Sequence, residues 1–339
     1  MKILAIETSC DETAVSIIDS TSSSEEVSLA VLGNALISQA NLHKEFGGVF
    51  PNLARREHQR NLVPLLISAL TEAKLLVPSK ESVSKETLDA VKETLDRESE
   101  LFSHFLVHLS QIARPDIDAI AVTYGPGLAP ALWVGVNFAK ALSKMWNIPV
   151  IPVNHMEGHI ISSLMQKKEK ATYTLPTPAF PVLALLISGG HTELVSMKEW
   201  GSYELVGSTL DDAVGEAFDK VARMLDLPYP GGPQISKLAT IARESGRTSS
   251  VKPPRPMLHT NTCDFSFAGL KTAALYALKK IDAITPEIKE EFAREFEDAV
   301  TEVLLKKTLQ AIEKTGAQTL LIGGGVSANT QIRKTFIEE

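Results

Sequence analysis

At 339 residues the chain is long enough for two domains with cores of their own, and 44% apolar and 22% charged residues mark an ordinary globular composition. A formal net charge of −7 offers no general attraction to nucleic acid or to an anionic membrane, so any nucleic-acid contact must come from a local basic patch or a partner. Only two cysteines occur, Cys10 and Cys263, which excludes a disulfide scaffold and fits a reducing compartment.

The first apolar run, after Met1-Lys2, is too short for a secretory signal, and no stretch approaches membrane-spanning length; the expected location is the cytoplasm. Lys2–Ile6 and Ala14–Ile18 read as short strands around Glu7-Thr-Ser-Cys-Asp-Glu12, a hairpin whose turn carries hydroxyls and carboxylates. Asp19–Ser28 reads as a polar connector and Val31–Gln39 as a third strand. Apolar residues at 62, 65, 66, 69 and 70 give Arg55–Ala73 a helical period. Pro78–Arg114 is mostly charged, and its spaced apolar residues predict one long helix or two joined ones, set on the surface as an insertion. Ala119–Thr123 then reads as a strand, Tyr124-Gly-Pro-Gly-Leu128 as a turn, Trp133–Met145 as a helix, Val150–Val153 as a strand and His155–Gln166 as a helix. That order predicts an α/β fold with a mixed or parallel sheet covered by helices. Lys167–Pro181, polar and rich in proline, reads as a linker.

Beyond the linker the layout begins again. Val182–Ile187 is an apolar run, Ser188-Gly-Gly-His-Thr192 a small polar turn and Leu194–Met197 a second run. The predicted organisation is two α/β domains of related build: residues 1–170, with a helical insertion near 78–113, and residues 182–339. Glycine runs at 188–190 and 323–325 both follow a buried-looking strand, where backbone N–H groups can receive an anion. Neither is a phosphate-binding Gly-Lys-Ser/Thr loop, and a single such run is more often a tight turn. Three polar loops after strands, at 7–12, 188–192 and 323–329, favour a nucleotide cleft between the domains. Asn329 or Ser327 is placed to cap the helix after the second glycine run.

Asp211–Leu227 predicts an amphipathic helix, with Asp212, Glu216, Asp219 and Arg223 on its polar side. Glu216 and Arg223 read as solvated surface, while Asp219 lies two turns before Tyr229-Pro-Gly-Gly-Pro233, a stop that could close on a ribose-bearing ligand. His155 and His159, at i and i+4, share a helix face and can reach one metal ion, although such a pair is also common as plain structure. Glu157 is one place too late to serve as the base of a zinc-protease H-E-x-x-H motif. Cys10 has no histidine near it in sequence and reads as a small buried residue; the basic clusters at 55–60 and 252–255 read as surface.

Taken in order, IETSCDET, FGGVFPNLARREH, VTYGPGL, HMEGH, LLISGGHTEL, DDAVGEAFDKVARMLDLPYPGGP, DFSFAGLKT and GGGVSAN resemble the TsaD family, the tRNA N6-adenosine threonylcarbamoyltransferases formerly called O-sialoglycoprotein endopeptidases. The resemblance runs from residue 1 to about 333, interrupted near 78–105. It implies the duplicated actin/Hsp70/sugar-kinase-like fold and transfer of threonylcarbamoyl from threonylcarbamoyl-adenylate to N6 of adenosine 37 in tRNAs reading ANN codons. It implies one divalent metal, Fe(2+) or Zn(2+), on His155 and His159, and substrate contacts from Leu186, Ile187, Ser188, Gly189, Gly190, Asp219, Gly232 and Asn329, with Asp11 at the transfer site. Implied partners are tRNA, a TsaB-like paralogue, a TsaE-like ATPase and a TsaC-like enzyme supplying the adenylate.

The family often has His where this chain has Asn154, a position that is not a ligand. Its third metal ligand is an Asp in a C-terminal Thr-Asp-Asn-Gly-like segment, and the sequence stops at Glu339 before one, so a C-terminally truncated member is expected. The alternatives are a metal-dependent glycoprotein endopeptidase, a non-catalytic ATP-binding scaffold and a sugar kinase of the same fold. The first lacks a base placed beside the metal, the second predicts loss of HMEGH, and the third has no need of the histidine pair.

Overall fold

The computed structural model describes residues 1–22, 26–80, 82–249, 252–279 and 284–339, and the chain divides into two units, Met1–Thr177 and Pro178–Glu339. The first unit opens with β1 (Lys2–Glu7), β2 (Glu12–Ser22) and β3 (Val27–Ser38), paired antiparallel in succession. The hairpin stands where the apolar runs predict it, but both later strands are longer. Most of the expected connector at 19–28 is strand, because ladder bonds join backbone to backbone and tolerate its serines and threonines. Residues 23–25 of it lie outside the described residues.

α1 (Ala40–His43) and a 3₁₀ turn at Lys44–Phe46 lead to α2 (Pro51–Glu72), which starts on a proline, the residue best suited to a first helical position. α3 (Lys85–Thr94) and α4 (Ser99–His108) follow, then β4 (Ala119–Gly125), α5 (Ala129–Trp146), β5 (Val150–Asn154), α6 (His155–Leu164), β6 (Gln166–Lys167) and β7 (Thr172–Leu175). Among the described residues these strands form one sheet in the order β5-β4-β1-β2-β3-β7-β6, parallel from β1 through β4 to β5 and antiparallel elsewhere. The reading of 167–181 as plain linker is corrected, since Thr172–Leu175 pairs with β3 and extends the sheet.

The charged stretch at 78–114 makes two helices, and it is not confined to the surface. Val91, Leu95, Leu101, Phe105 and Leu109 are buried in the same core as Leu62 and Leu66 of α2 and Phe138 of α5. Amphipathic helices show solvent their charges and hide an apolar stripe, so a high charge count does not measure exposure.

The second unit repeats the opening: β8 (Val182–Ile187) pairs antiparallel with β9 (Thr192–Glu199), and β9 with β10 (Ser202–Ser208). All six residues of β8 are buried, as a continuous apolar run covered on both faces requires. α7 (Val214–Met224), α8 (Gly231–Glu244), α9 (Ala268–Leu278) and α10 (Pro286–Thr315) precede β11 (Thr319–Gly323), which joins β8 in parallel, and α11 (Thr330–Glu338). The described sheet runs β10-β9-β8-β11, and its core includes Leu183, Leu185, Phe218, Phe292 and Phe296.

Two details correct the helix read at 211–227. It begins at Val214, because Asp211 and Asp212 are drawn into tertiary bonds: Asp211 Oδ1 accepts the backbone N–H groups of Phe267 and Ala268, and Asp212 pairs with Lys220 and Lys271. The helix ends at Met224, short of the Tyr-Pro-Gly-Gly-Pro segment, within which Gly231 opens the separate helix α8.

Candidate functional site

In the first unit the chemistry gathers where β1, β4 and β5 end. β5 passes directly into α6 at Asn154, whose Oδ1 accepts the N–H groups of Met156 at 2.9 Å and Glu157 at 3.4 Å. That cap makes Asn154 the residue that starts the helix carrying both histidines. The i, i+4 spacing then brings His155 Nε2 and His159 Nε2 to 3.1 Å. With metal–nitrogen bonds of about 2.0–2.1 Å, two imidazoles on one ion stand roughly 3 Å apart, so the pair fits a shared cation. Among the described residues no group of three or more His, Cys, Asp or Glu is arranged to hold a metal, and the fit is that of a two-imidazole half-site.

The other ring nitrogen of His155 faces Glu7, at the end of β1: Nδ1 lies 3.2 Å from Oε2. Thr123 Oγ1, at the end of β4, donates to the same oxygen at 2.6 Å, and Ser9 N–H donates to Oε1. Burial raises the Glu7 pKa, but hydrogen bonds from His155, Thr123 and Ser9 outweigh it and carry the net value down to about 2. An ionised Glu7 keeps the imidazole proton on Nδ1 and leaves the Nε2 lone pair for a cation, the carboxylate–histidine arrangement that orients metal ligands. Glu7 carries no signal in the sequence that separates it from the other acids of its loop.

The loop that follows is pinned at three successive carbonyls by three different elements. Ser9 O accepts Leu128 N–H at 2.7 Å, Cys10 O accepts His58 Nε2–H at 2.9 Å, and Asp11 O accepts Gln39 N–H at 2.8 Å. The close packing extends to Gly135 on α5, where a Cβ would stand 2.3 Å from Thr8 Oγ1. Asp11 is half-buried, with its carboxylate beside the Cys10 thiol. Burial, with the charges of Asp11 and Glu7, pushes that thiol up to about 12, so Cys10 has no nucleophilic character near neutral pH.

In the second unit the predicted residues fall into three groups. Leu186 and Ile187 have buried side chains inside β8, so only their backbone can meet a ligand. Ser188 Oγ accepts His191 N–H at 3.0 Å and folds the turn, while an added Cβ at Gly189 or Gly190 would meet nothing within 4 Å. The second glycine run does need its glycine: Gly324 has φ +88°, and a Cβ there would lie 2.3 Å from Ile187 O.

Asp219 and Gly232 come together at the start of α8. Asp219 Oδ1 accepts Gly231 N–H at 2.6 Å, and burial raises the carboxyl pKa against the opposing backbone bonds from Gly231 and Gly232. Asn329 caps α11, as its Oδ1 accepts Ile332 N–H at 2.9 Å, whereas Ser327 does not; Ser327 O accepts Arg333 Nε–H instead. Asn329 Nδ2 donates to Glu297 Oε1 at 2.6 Å, and the fully buried Glu297 is neutralised by Arg243. Sequence reading misses this Arg243–Glu297–Asn329 chain entirely.

A family model described as TsaD, tRNA N6-adenosine threonylcarbamoyltransferase, matches residues 30–91 and 101–339. The chain belongs to this family. Relatives carrying the same name are 41% identical in Nitrosospira multiformis, over 99% of this chain and 82% of the relative. In Burkholderia lata identity is 42% over 98% and 82%, and in Polynucleobacter necessarius 42% over 100% and 84%. Membership makes the chain a tRNA-modifying transferase. The matched ranges include nearly all of the charged helices, leaving out only 92–100. Solved structures stand further off: YeaZ from Pseudomonas aeruginosa aligns with 61% of this chain and 67% of its own at 13% identity and a TM-score of 0.29. Full-length HypF aligns with 99% and 50% at 13% and 0.46. No described helix of this TsaD-family chain is long and apolar enough to cross a membrane.

Proposed function

We propose that this TsaD-family chain moves a threonylcarbamoyl group from threonylcarbamoyl-adenylate onto N6 of adenosine 37 in tRNAs that read ANN codons, using both units, each built on an actin/Hsp70/sugar-kinase-like plan. The observation that carries the reading is the converging histidine pair, with Nε2 atoms 3.1 Å apart and His155 held by the Glu7 carboxylate. His155 and His159 would hold one divalent cation, Fe(2+) or Zn(2+), whose Lewis acidity would polarise the threonylcarbamoyl carbonyl.

Glu7 holds the Nδ1 proton of His155 and so keeps Nε2 turned to its task. Gly189 and Gly190 lie in a turn with open space about them, where Gly190 N–H donates to Ser188 Oγ at 3.4 Å; the Gly189 N–H would receive the adenylate phosphate, with the Asp219–Gly231–Gly232 corner for its ribose. Asp11 would orient the adenosine amine or take its proton; the amine is a weak nucleophile, so orientation must supply much of the rate. The net charge of −7 gives weak, salt-sensitive tRNA binding by the chain alone, in keeping with help from TsaB-like and TsaE-like partners and adenylate from a TsaC-like enzyme.

The test pairs metal analysis with turnover. His155→Ala and His159→Ala should each lose bound metal and abolish threonylcarbamoyl transfer in the reconstituted system while leaving the fold intact. Retained transfer by either variant would sink the reading, and cleavage of a glycoprotein substrate by the wild type alone would replace it with the peptidase.

A further inference from the structure

Behind the loop that carries Asp11 lies a buried chain of polar side chains that the transfer reaction described above does not use. His58, on α2, is fully buried. Its Nδ1 accepts the Thr13 hydroxyl at 2.7 Å, and its Nε2–H donates to the Cys10 carbonyl at 2.9 Å. Gln39 Nε2 also reaches His58 Nδ1 at 3.4 Å, and Gln39 Oε1 accepts His43 Nε2–H at 3.1 Å. His43 Nδ1 in turn accepts Phe50 N–H at 3.3 Å. The two donors on Nδ1 fix the tautomer of His58, so its single proton points at Cys10.

We infer that His58 is a positioning residue for transfer, holding the Ser9–Asp11 backbone so that the Asp11 carboxylate has one place. This rests on the reading that Asp11 works at the transfer site. Three carbonyls in a row accept bonds from outside the loop, but those of Ser9 and Asp11 are bound by main-chain N–H groups, from Leu128 and Gln39. Only the middle bond is made by a side chain, and it comes from a helix 48 residues away in sequence. A histidine kept neutral and locked in one tautomer is a rigid donor, and a fully buried one is poorly explained as surface chemistry. Without His58 the part-buried Cys10 carbonyl would lose its side-chain donor, and the peptide that leads into Asp11 would be held only from its two neighbours. Displacement of a catalytic group by about 1 Å can cost on the order of 100-fold in rate.

The test uses the full chain with its partner proteins. In His58→Gln the side-chain amide reaches the place of Nε2 and can still donate to Cys10 O; in His58→Asn it reaches only the place of Nδ1. The expected result is that His58→Asn lowers kcat by about 10- to 100-fold, with KM for tRNA and adenylate, metal content and melting temperature close to wild type. His58→Gln should recover most of the rate, and Thr13→Val, which removes the closer of the two donors on Nδ1, should fall between. Equal kcat for His58→Asn and wild type would overturn the inference. So would a loss that follows melting temperature in all three variants without recovery by Gln. Asp11→Asn separates the two readings: full activity there with a slow His58→Asn removes Asp11 from the mechanism and leaves the loop-positioning role standing.

Discussion

Both units begin with a strand, a short polar loop and an antiparallel strand, yet the two loops are built for opposite ends. The loop after β1 is locked: its carbonyls from Ser9 to Asp11 are each taken by another element, and Glu7 at its start is tied to Ser9, Thr123 and His155. The loop after β8 is held at one carbonyl, Ser188 O accepting Gly215 N–H of α7 at 3.1 Å, and is open beyond it: Ser188 Oγ bonds within the turn, and Gly189 and Gly190 have no neighbour within 4 Å of where a Cβ would be. One topology thus supplies a rigid mount for acidic and imidazole groups and, elsewhere, an unobstructed backbone. The difference comes from what packs behind the loop. α2, Gln39 between β3 and α1, and the turn before α5 reach the first, while the second is bordered on its inner side by α7, where a Cβ on Gly215 would meet Ser188 O at 2.6 Å.

The sharpest test of the locked loop is Glu7→Gln. Losing the anion behind His155 should weaken metal retention by about 10- to 100-fold, the usual cost of removing an outer partner of a ligating imidazole. Metal titration followed by chelation would show it, and unchanged retention would make the Glu7–His155 contact incidental. For the open loop the matching change is Gly189→Val. With space for a side chain and no positive φ to relieve, the fold should keep its melting temperature. Adenylate affinity by calorimetry should nevertheless fall by roughly 10-fold, about 1.4 kcal/mol, as the branched chain covers the N–H groups. Unchanged affinity would exclude the turn from the binding site.

Smaller effects follow from protonation in the locked region. Burial lowers the pKa of His58, against the raising effects of the Cys10 carbonyl and the Glu7 and Asp11 charges, with His43 adding to the lowering. A histidine whose folded pKa is depressed stabilises the fold fully above the unfolded value of about 6.5, and the contribution is lost as pH falls through the folded value. Denaturation midpoints should therefore drop below about pH 6.5, and by less in His58→Gln; identical pH profiles would show that the ring is not held neutral. Last, Cys10, with its thiol pushed up to about 12, should alkylate far more slowly than a free cysteine at pH 8 in the native protein and normally once unfolded. Rapid native labelling would mean that the loop opens.

The strand-and-helix skeleton was largely legible from the sequence. The all-apolar Val182–Ile187, the paired hairpins and the i, i+4 histidines each rest on a local period that side chains impose wherever the segment sits. Errors arose where a polar segment found a tertiary use. Thr172–Leu175 became a strand because β3 offered it a ladder, and Asp211 and Asp212 left their helix for Phe267, Ala268 and two lysines. Charge on α3 and α4 concealed Phe105 and Val91, which only packing reveals as core.

By itself, then, the sequence determined the α/β alternation, the two glycine turns, the shared face of His155 and His159, a cap at Asn329 or Ser327, between which the structure chose Asn329, and the TsaD family. Tertiary structure alone decided that Glu7 meets a histidine 148 residues away, that His58 holds the Cys10 carbonyl, that Asp219 binds the start of α8, and that Asn329 leans on Glu297. Periodicity encodes which face of an element is buried. It does not encode which polar atoms of two distant elements come within hydrogen-bond reach, because register and packing set that distance to a few tenths of an ångström only once the chain has folded.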